Sequence, residues 1–135
     1  GEYDIGPFIS SRQIEIVEDH VKDALSKGAR ALVGGQRAPD VGEYFFQPTL
    51  LVDVDHSMKV MTEETFGPII PVMVVADEDE GIEKANDTRY GLGATVWTQS
   101  RQKGEAIAEV NSQPLGHFSS HSSPHAIVPA PLSPC

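Results

Sequence analysis

The stretch Ile69-Ile70-Pro71-Val72-Met73-Val74-Val75-Ala76, followed at once by Asp77-Glu78-Asp79-Glu80 and later by Gly93-Ala94-Thr95-Val96-Trp97-Thr98, decides the fold class. Residues 69–76 are nearly all apolar and rich in β-branched side chains, the pattern of a strand buried on both faces. Pro71 lacks an N–H, which directs the start of that strand to an edge and makes its second half the firmer part. Asp77 with Glu80 three residues on forms a capping box, and the carboxylates of 77–80 stand where a helix dipole favours negative charge. Ile82 and Ala85 would face inward from that helix. Residues 93–98 read as the next strand, and Ser100 caps a last helix with Ile107 and Val110 on its buried side. Strand, helix, strand, helix implies a right-handed parallel crossover pairing 69–76 with 93–98. The expected fold class is α/β, with parallel strands and crossover helices.

Outward toward the N-terminus, Ile14, Val17, Val21 and Leu25 recur at steps of three and four, one stripe of a helix. Ser10 and Gln13 supply its capping box and Gly28 its left-handed stop, so a helix is expected over about 11–27. Residues 31–33 form a short strand candidate. Gly34, Gly35, Pro39, Asp40 and Gly42 then make a turn-rich passage before an extended, apolar run at 44–54, as in a hairpin-like excursion. Toward the C-terminus the character changes. All 20 acidic and 10 basic side chains precede residue 111, whereas 111–135 holds Pro114, Pro124, Pro129, Pro131 and Pro134 and shows neither helical nor strand periodicity. Two regions follow: a structured 1–110 and a disordered Pro/Ser/His-rich tail over 111–135.

The formal charge of −10 leaves no attraction to phosphate backbones or anionic membrane surfaces, so neither nucleic acid nor membrane is expected as a partner. The longest apolar run falls far short of the ~20 residues that span a bilayer, and a cytoplasmic setting is expected. The single cysteine, Cys135, rules out an intrachain disulfide and a cysteine-based zinc cluster.

Glu63-Glu64-Thr65-Phe66-Gly67-Pro68 resembles the aldehyde dehydrogenase signature Glu-Glu-(Ile or Thr)-Phe-Gly-Pro. It stands among further matching pieces in the family's order. Upstream are Asp4-Ile5-Gly6-Pro7, Lys27-Gly28-Ala29, Gly34-Gly35 and Phe46-Gln47-Pro48-Thr49; downstream are Ala85-Asn86-Asp87-Thr88, Tyr90-Gly91-Leu92 and Val96-Trp97-Thr98. Together they cover residues 4 to about 110, a catalytic-domain fragment of about a quarter of a full enzyme by the family's usual size. The resemblance implies NAD(P)-dependent oxidation of an aldehyde to a carboxylic acid. It places Glu64 on the nicotinamide ribose, where a carboxylate accepts from both hydroxyls of a diol, and Phe66 against the nicotinamide end. Gly67 and Pro68 would shape the turn that aims both. Leu92 is a weaker site-lining candidate, and Trp97 reads as core rather than ligand contact.

The same resemblance implies what this chain lacks. The family's cysteine nucleophile, glutamate base and nucleotide-binding glycines belong to segments that precede the matched region, so no catalytic residue is assigned here. Cys135 lies beyond every matching piece and has no basic neighbour to lower a thiol pKa. In intact members the chemistry is thiolate attack, hydride transfer to NAD or NADP and hydrolysis of the thioester. This segment would contribute the ribose contact and be inactive alone. Intact members oligomerise through a strand that the sequence after Val110-Asn111 does not match. The rival reading is a non-catalytic remnant or interaction module that binds an intact dehydrogenase subunit. His117, His121 and His125 are spaced four apart, but Pro124 and the intervening serines oppose a helix that would align them, so no metal site is assigned.

Overall fold

The computed structural model describes residues 5–90, 93–110 and 126–130. The chain divides into two compact units, Gly1–Val74 and Val75–Cys135.

The first unit begins with α1 (Ser11–Ser26). The Ser10 hydroxyl accepts from the Gln13 N–H at 3.3 Å, and Gly28 takes φ 106° just past the C-terminus. Ile14, Val17, Val21 and Ala24 are buried along one face; Leu25 lies past the edge of that stripe and is 40% exposed. β1 (Arg30–Val33) runs antiparallel to β2 (Thr49–Val52), the expected hairpin-like excursion. An isolated bridge between Arg37 and Phe46 narrows its connection. Gly34, at φ 68°, has no room for a Cβ beside Pro48 and Thr49, and the Gly35 N–H donates to Thr49 Oγ1 at 2.8 Å. The short α2 (Lys59–Thr62) then leads to β3 (Ile69–Val72), which lies parallel to β2 with Thr49 opposite Ile69 and Val52 opposite Val72. The sheet order is β1-β2-β3. Leu51, Val54, Phe46, Met58 and Val60 join the α1 stripe in one apolar core.

α2 has no side-chain cap of its own. Asp23 of α1 supplies one, accepting the Lys59 N–H at 2.9 Å and the Lys27 ammonium at 2.8 Å. Lys59 in turn places its ammonium 2.6 Å from Asp19. These pairings hold the Asp23 carboxyl below the usual carboxylate range, chiefly through Lys27, and the Asp19 carboxyl likewise through Lys59.

In the second unit α3 (Glu78–Asn86) carries the expected cap, Asp77 accepting the Glu80 N–H at 2.9 Å. The Glu80 carboxylate reaches back one residue further than the box requires, to the Ala76 N–H at 2.6 Å. β4 (Gly93–Trp97) is followed by α4 (Arg101–Val110), capped by Ser100 through the Lys103 N–H at 3.2 Å. Lys103 pairs with Glu78, and Asn86 Nδ2 donates to the Val110 carbonyl at 3.3 Å, joining α3 to α4. Gly81 and Gly104 are buried on these two helices along with Ile107.

Three expectations need correction. The parallel pair of 69–76 with 93–98 is not formed: β3 takes β2 as its parallel partner, and β4 pairs antiparallel with β5 (Ala126–Ala130). A parallel crossover does exist, but it runs from β2 to β3 through α2. Second, the firm half of 69–76 is the first, not the second; on the sheet edge the missing N–H of Pro71 can face the open side. Within 111–135 the described residues are 126–130, where Trp97 pairs with Ala126 and Gly93 with Ala130. Pro129 is accommodated there because β5 too is an edge strand. Finally, Val110 is 57% and Trp97 38% exposed, because Ile107 takes the inward side of α4 and alternation gives the inward side to Val96 on β4 and to Thr98 just past it.

Candidate functional site

The hexapeptide Glu63–Pro68 forms the connection between α2 and β3, and both of its ends are tied to regular structure. The Glu63 N–H donates to the Lys59 carbonyl at 2.8 Å, closing α2, and the Pro68 carbonyl accepts from the Thr49 N–H of β2 at 2.8 Å. Glu63 itself leaves the helix in extended backbone, at φ −118° and ψ 152°. Gly67 is pressed against α1: a Cβ there would stand 2.7 Å from Val17 Cγ2 and 2.9 Å from Phe8 Cζ. Gly67 is therefore required by close approach of two packed side chains rather than by a left-handed backbone.

Of the two residues expected to meet the cofactor, Glu64 is half-buried on this connection, and the Phe66 ring is 42% exposed while its carbonyl accepts from Gln13 Nε2 at 2.8 Å. Thr65 hydrogen-bonds His20, Nδ1 to Oγ1 at 2.7 Å, and His20 Nε2 lies 3.5 Å from the Glu63 carboxylate. Each ring nitrogen of His20 thus faces a polar partner, Nδ1 the Thr65 hydroxyl and Nε2 the Glu63 carboxylate. His20 is 3% exposed, in the middle of the apolar stripe of α1. Sequence reasoning missed both Gln13 and His20 as neighbours of the signature. The one readable signal was an imidazole at a position flanked by Val17, Val21 and Ala24, where an apolar side chain is the rule.

Leu92 and the three tail histidines lie outside the described residues, as does Cys135. Among the described residues no group of histidine, cysteine and carboxylate side chains could hold a metal ion. No helix among them is long and apolar enough to cross a membrane.

A mixed sheet edged by a Glu-Glu-Thr-Phe-Gly-Pro connection defines a recognisable class. The profile of the Aldehyde dehydrogenase family matches residues 1–113, and the chain belongs to that family. It is 50% identical over 105 residues to a protein of Mycobacterium ulcerans provisionally named succinate-semialdehyde dehydrogenase [NADP(+)] 2, covering 78% of this chain and 20% of that one. The crystal structure of succinate-semialdehyde dehydrogenase from Burkholderia pseudomallei matches 93% of this chain and 27% of its own, with TM-score 0.79 and 35% identity. That of a Mycobacterium tuberculosis aldehyde dehydrogenase complexed with NAD+ matches over the same shares, with TM-score 0.79 and 34% identity. The chain thus spans about a fifth of the length of the curated relatives it matches.

Proposed function

We propose that this chain is the part of an NAD(P)-dependent aldehyde dehydrogenase that presents the nicotinamide-ribose contact, Glu64 with Phe66, and that it contributes no nucleophile or base. The observation that carries the reading is the anchoring of the connection at 63–68. It is bonded at both ends and along its length, and it leaves Glu64 half-buried and the Phe66 side chain partly exposed. These residues fit the group they would hold. A carboxylate offers acceptors to both hydroxyls of a ribose diol, and an exposed aromatic face suits a planar ring. When bound, the nicotinamide supplies the hydride acceptor for aldehyde oxidation. Both NAD and NADP share that end, so this contact serves either. Succinate semialdehyde is the leading aldehyde, because relatives at 48–50% identity carry that name. The setting we propose is cytoplasmic.

The test is Glu64→Gln in an intact subunit that carries this segment. The amide keeps one acceptor oxygen and loses the charge, so the ribose docks loosely. Single-turnover hydride transfer should fall on the order of a hundredfold, the cost of misplacing a reacting centre by about 1 Å. The primary isotope effect with a deuterated aldehyde should rise, with little change in aldehyde binding. Unchanged transfer and isotope effect would return Glu64 to the status of a solvated turn residue.

A second reading, a non-catalytic module that binds an intact dehydrogenase subunit, is favoured by the apolar side chains the sheet leaves exposed. Leu32 and Val33 on β1 and Ile70 and Val72 on β3 are 42–60% exposed. Co-purification of the chain with an intact subunit, without change in that subunit's turnover, would support it.

A further inference from the structure

The geometry points to His20 as a positioning residue for the cofactor contact, acting through Thr65 and Glu63 on the direction of Glu64. The inference rests on the reading of Glu64 given above and extends it to the helix behind the signature. Gln13, Val17 and His20 are spaced four and three apart, which places them in line on one face of α1. Each meets a different part of the hexapeptide. Gln13 Nε2 donates to the Phe66 carbonyl at 2.8 Å, Val17 closes the space at Gly67, and His20 Nδ1 lies 2.7 Å from Thr65 Oγ1. Its other nitrogen is 3.5 Å from Glu63 Oε2. One imidazole thus holds the residues on either side of Glu64. With Glu63 and Thr65 both held to His20, the backbone that carries Glu64 is fixed on either side.

The burial of His20 gives the contact its weight. At 3% exposure, between Val17 and Val21 at 0% and 1%, an imidazole without partners is strongly disfavoured. Its near partner is the hydroxyl of Thr65. Isoleucine there would leave Nδ1 facing a hydrocarbon. His20 and Thr65 are therefore a matched pair, and the matching is what a packing role alone would not require, since leucine with isoleucine fills comparable space.

The experiment uses an intact subunit that carries this segment. It measures the equilibrium dissociation constant for NADP+, the KM for NADP+ against kcat, and the melting temperature. The variants are His20→Leu, Thr65→Ile, the double variant, His20→Asn and, as a control on the underlying reading, Glu64→Gln. Asparagine sets a polar atom close to the Nδ1 position and should restore the Thr65 contact. His20→Leu and Thr65→Ile should each weaken NADP+ binding by about tenfold or more. The double variant should be no worse than either single one, and His20→Asn should recover most of the affinity. Normal NADP+ binding by His20→Leu and Thr65→Ile, while Glu64→Gln binds poorly, would overturn the positioning role and leave the reading of Glu64 intact. A fall in melting temperature with unchanged binding would do the same, marking His20 as a packing residue. Unchanged binding and unchanged kcat for Glu64→Gln would remove the reading and the positioning role together. Should His20→Leu not fold, Thr65→Ile and His20→Asn decide the question.

Discussion

Gly67 shows how a single position can fix the shape of the signature. Its missing side chain leaves space that Val17 and Phe8 occupy, and Val17 is fully buried in the α1 stripe, so it cannot yield cheaply. Gly67→Ala should lower stability by about 1–3 kcal/mol, the usual cost of forcing a methyl group into packed surroundings. Because the alternative is for the connection to lift off α1, the same variant should lengthen the Gln13–Phe66 hydrogen bond, now 2.8 Å. Thermal unfolding would read the first effect, and amide exchange at residues 63–68 the second. A variant as stable as the parent, with unchanged exchange, would mean that Phe8 swings aside without cost. The hexapeptide itself was legible in the sequence, since Glu63 to Pro68 carries a recognisable pattern. What holds it was not: Gln13 and His20 lie 53 and 45 residues from their partners, and separations of that size leave no local pattern to read.

Helices and strands differed in how far the chain declared them. The caps of α1, α3 and α4 rest on residues three apart, so Ser10, Asp77 and Ser100 could be assigned from spacing, and each accepts the N–H expected of it. Strand partners depend on which distant segment arrives, which is why the pairings of β3 and β4 differ from the expected parallel pair. The cap of α2 is equally non-local, because Asp23 reaches it from α1. That arrangement has a pH consequence. The Asp23 and Asp19 carboxyls are held below the ordinary range by Lys27 and Lys59, so in the unfolded chain they bind protons at a higher pH than in the folded one. Their contribution is therefore fully present above the unfolded value of about 3.9 and is lost as pH falls through the lower folded value. Lys59→Met should raise the pH at which helical circular dichroism begins to fall on acidification. Asp23→Asn should be less stable at neutral pH and show a flatter acid limb. Superimposable acid transitions for parent and variants would show that the α1–α2 ion pairs carry no linkage.

At the scale of the whole chain, the function proposed above sets what these 135 residues can do by themselves. The chain matches the family over residues 1–113 and spans about a fifth of its curated relatives. Its sole cysteine, Cys135, lies outside the matched residues. Aldehyde oxidation of this kind needs a thiolate to form the covalent adduct and a base to activate water, and the ribose contact proposed for this chain supplies neither. On the same proposal binding is limited as well: a half-site would order the cofactor at the same entropic cost while making only part of the contacts that offset it. The isolated chain should therefore produce no NADH from succinate semialdehyde or a panel of other aldehydes above a buffer control, at any pH between 6 and 9, the range in which a free thiol of pKa about 8.5 begins to ionise. Cys135→Ser should leave that baseline unmoved. Turnover that survived Cys135→Ser would show that a nucleophile other than cysteine operates here. Turnover abolished by Cys135→Ser would place the terminal thiol in a working site and overturn the division of roles proposed for this chain.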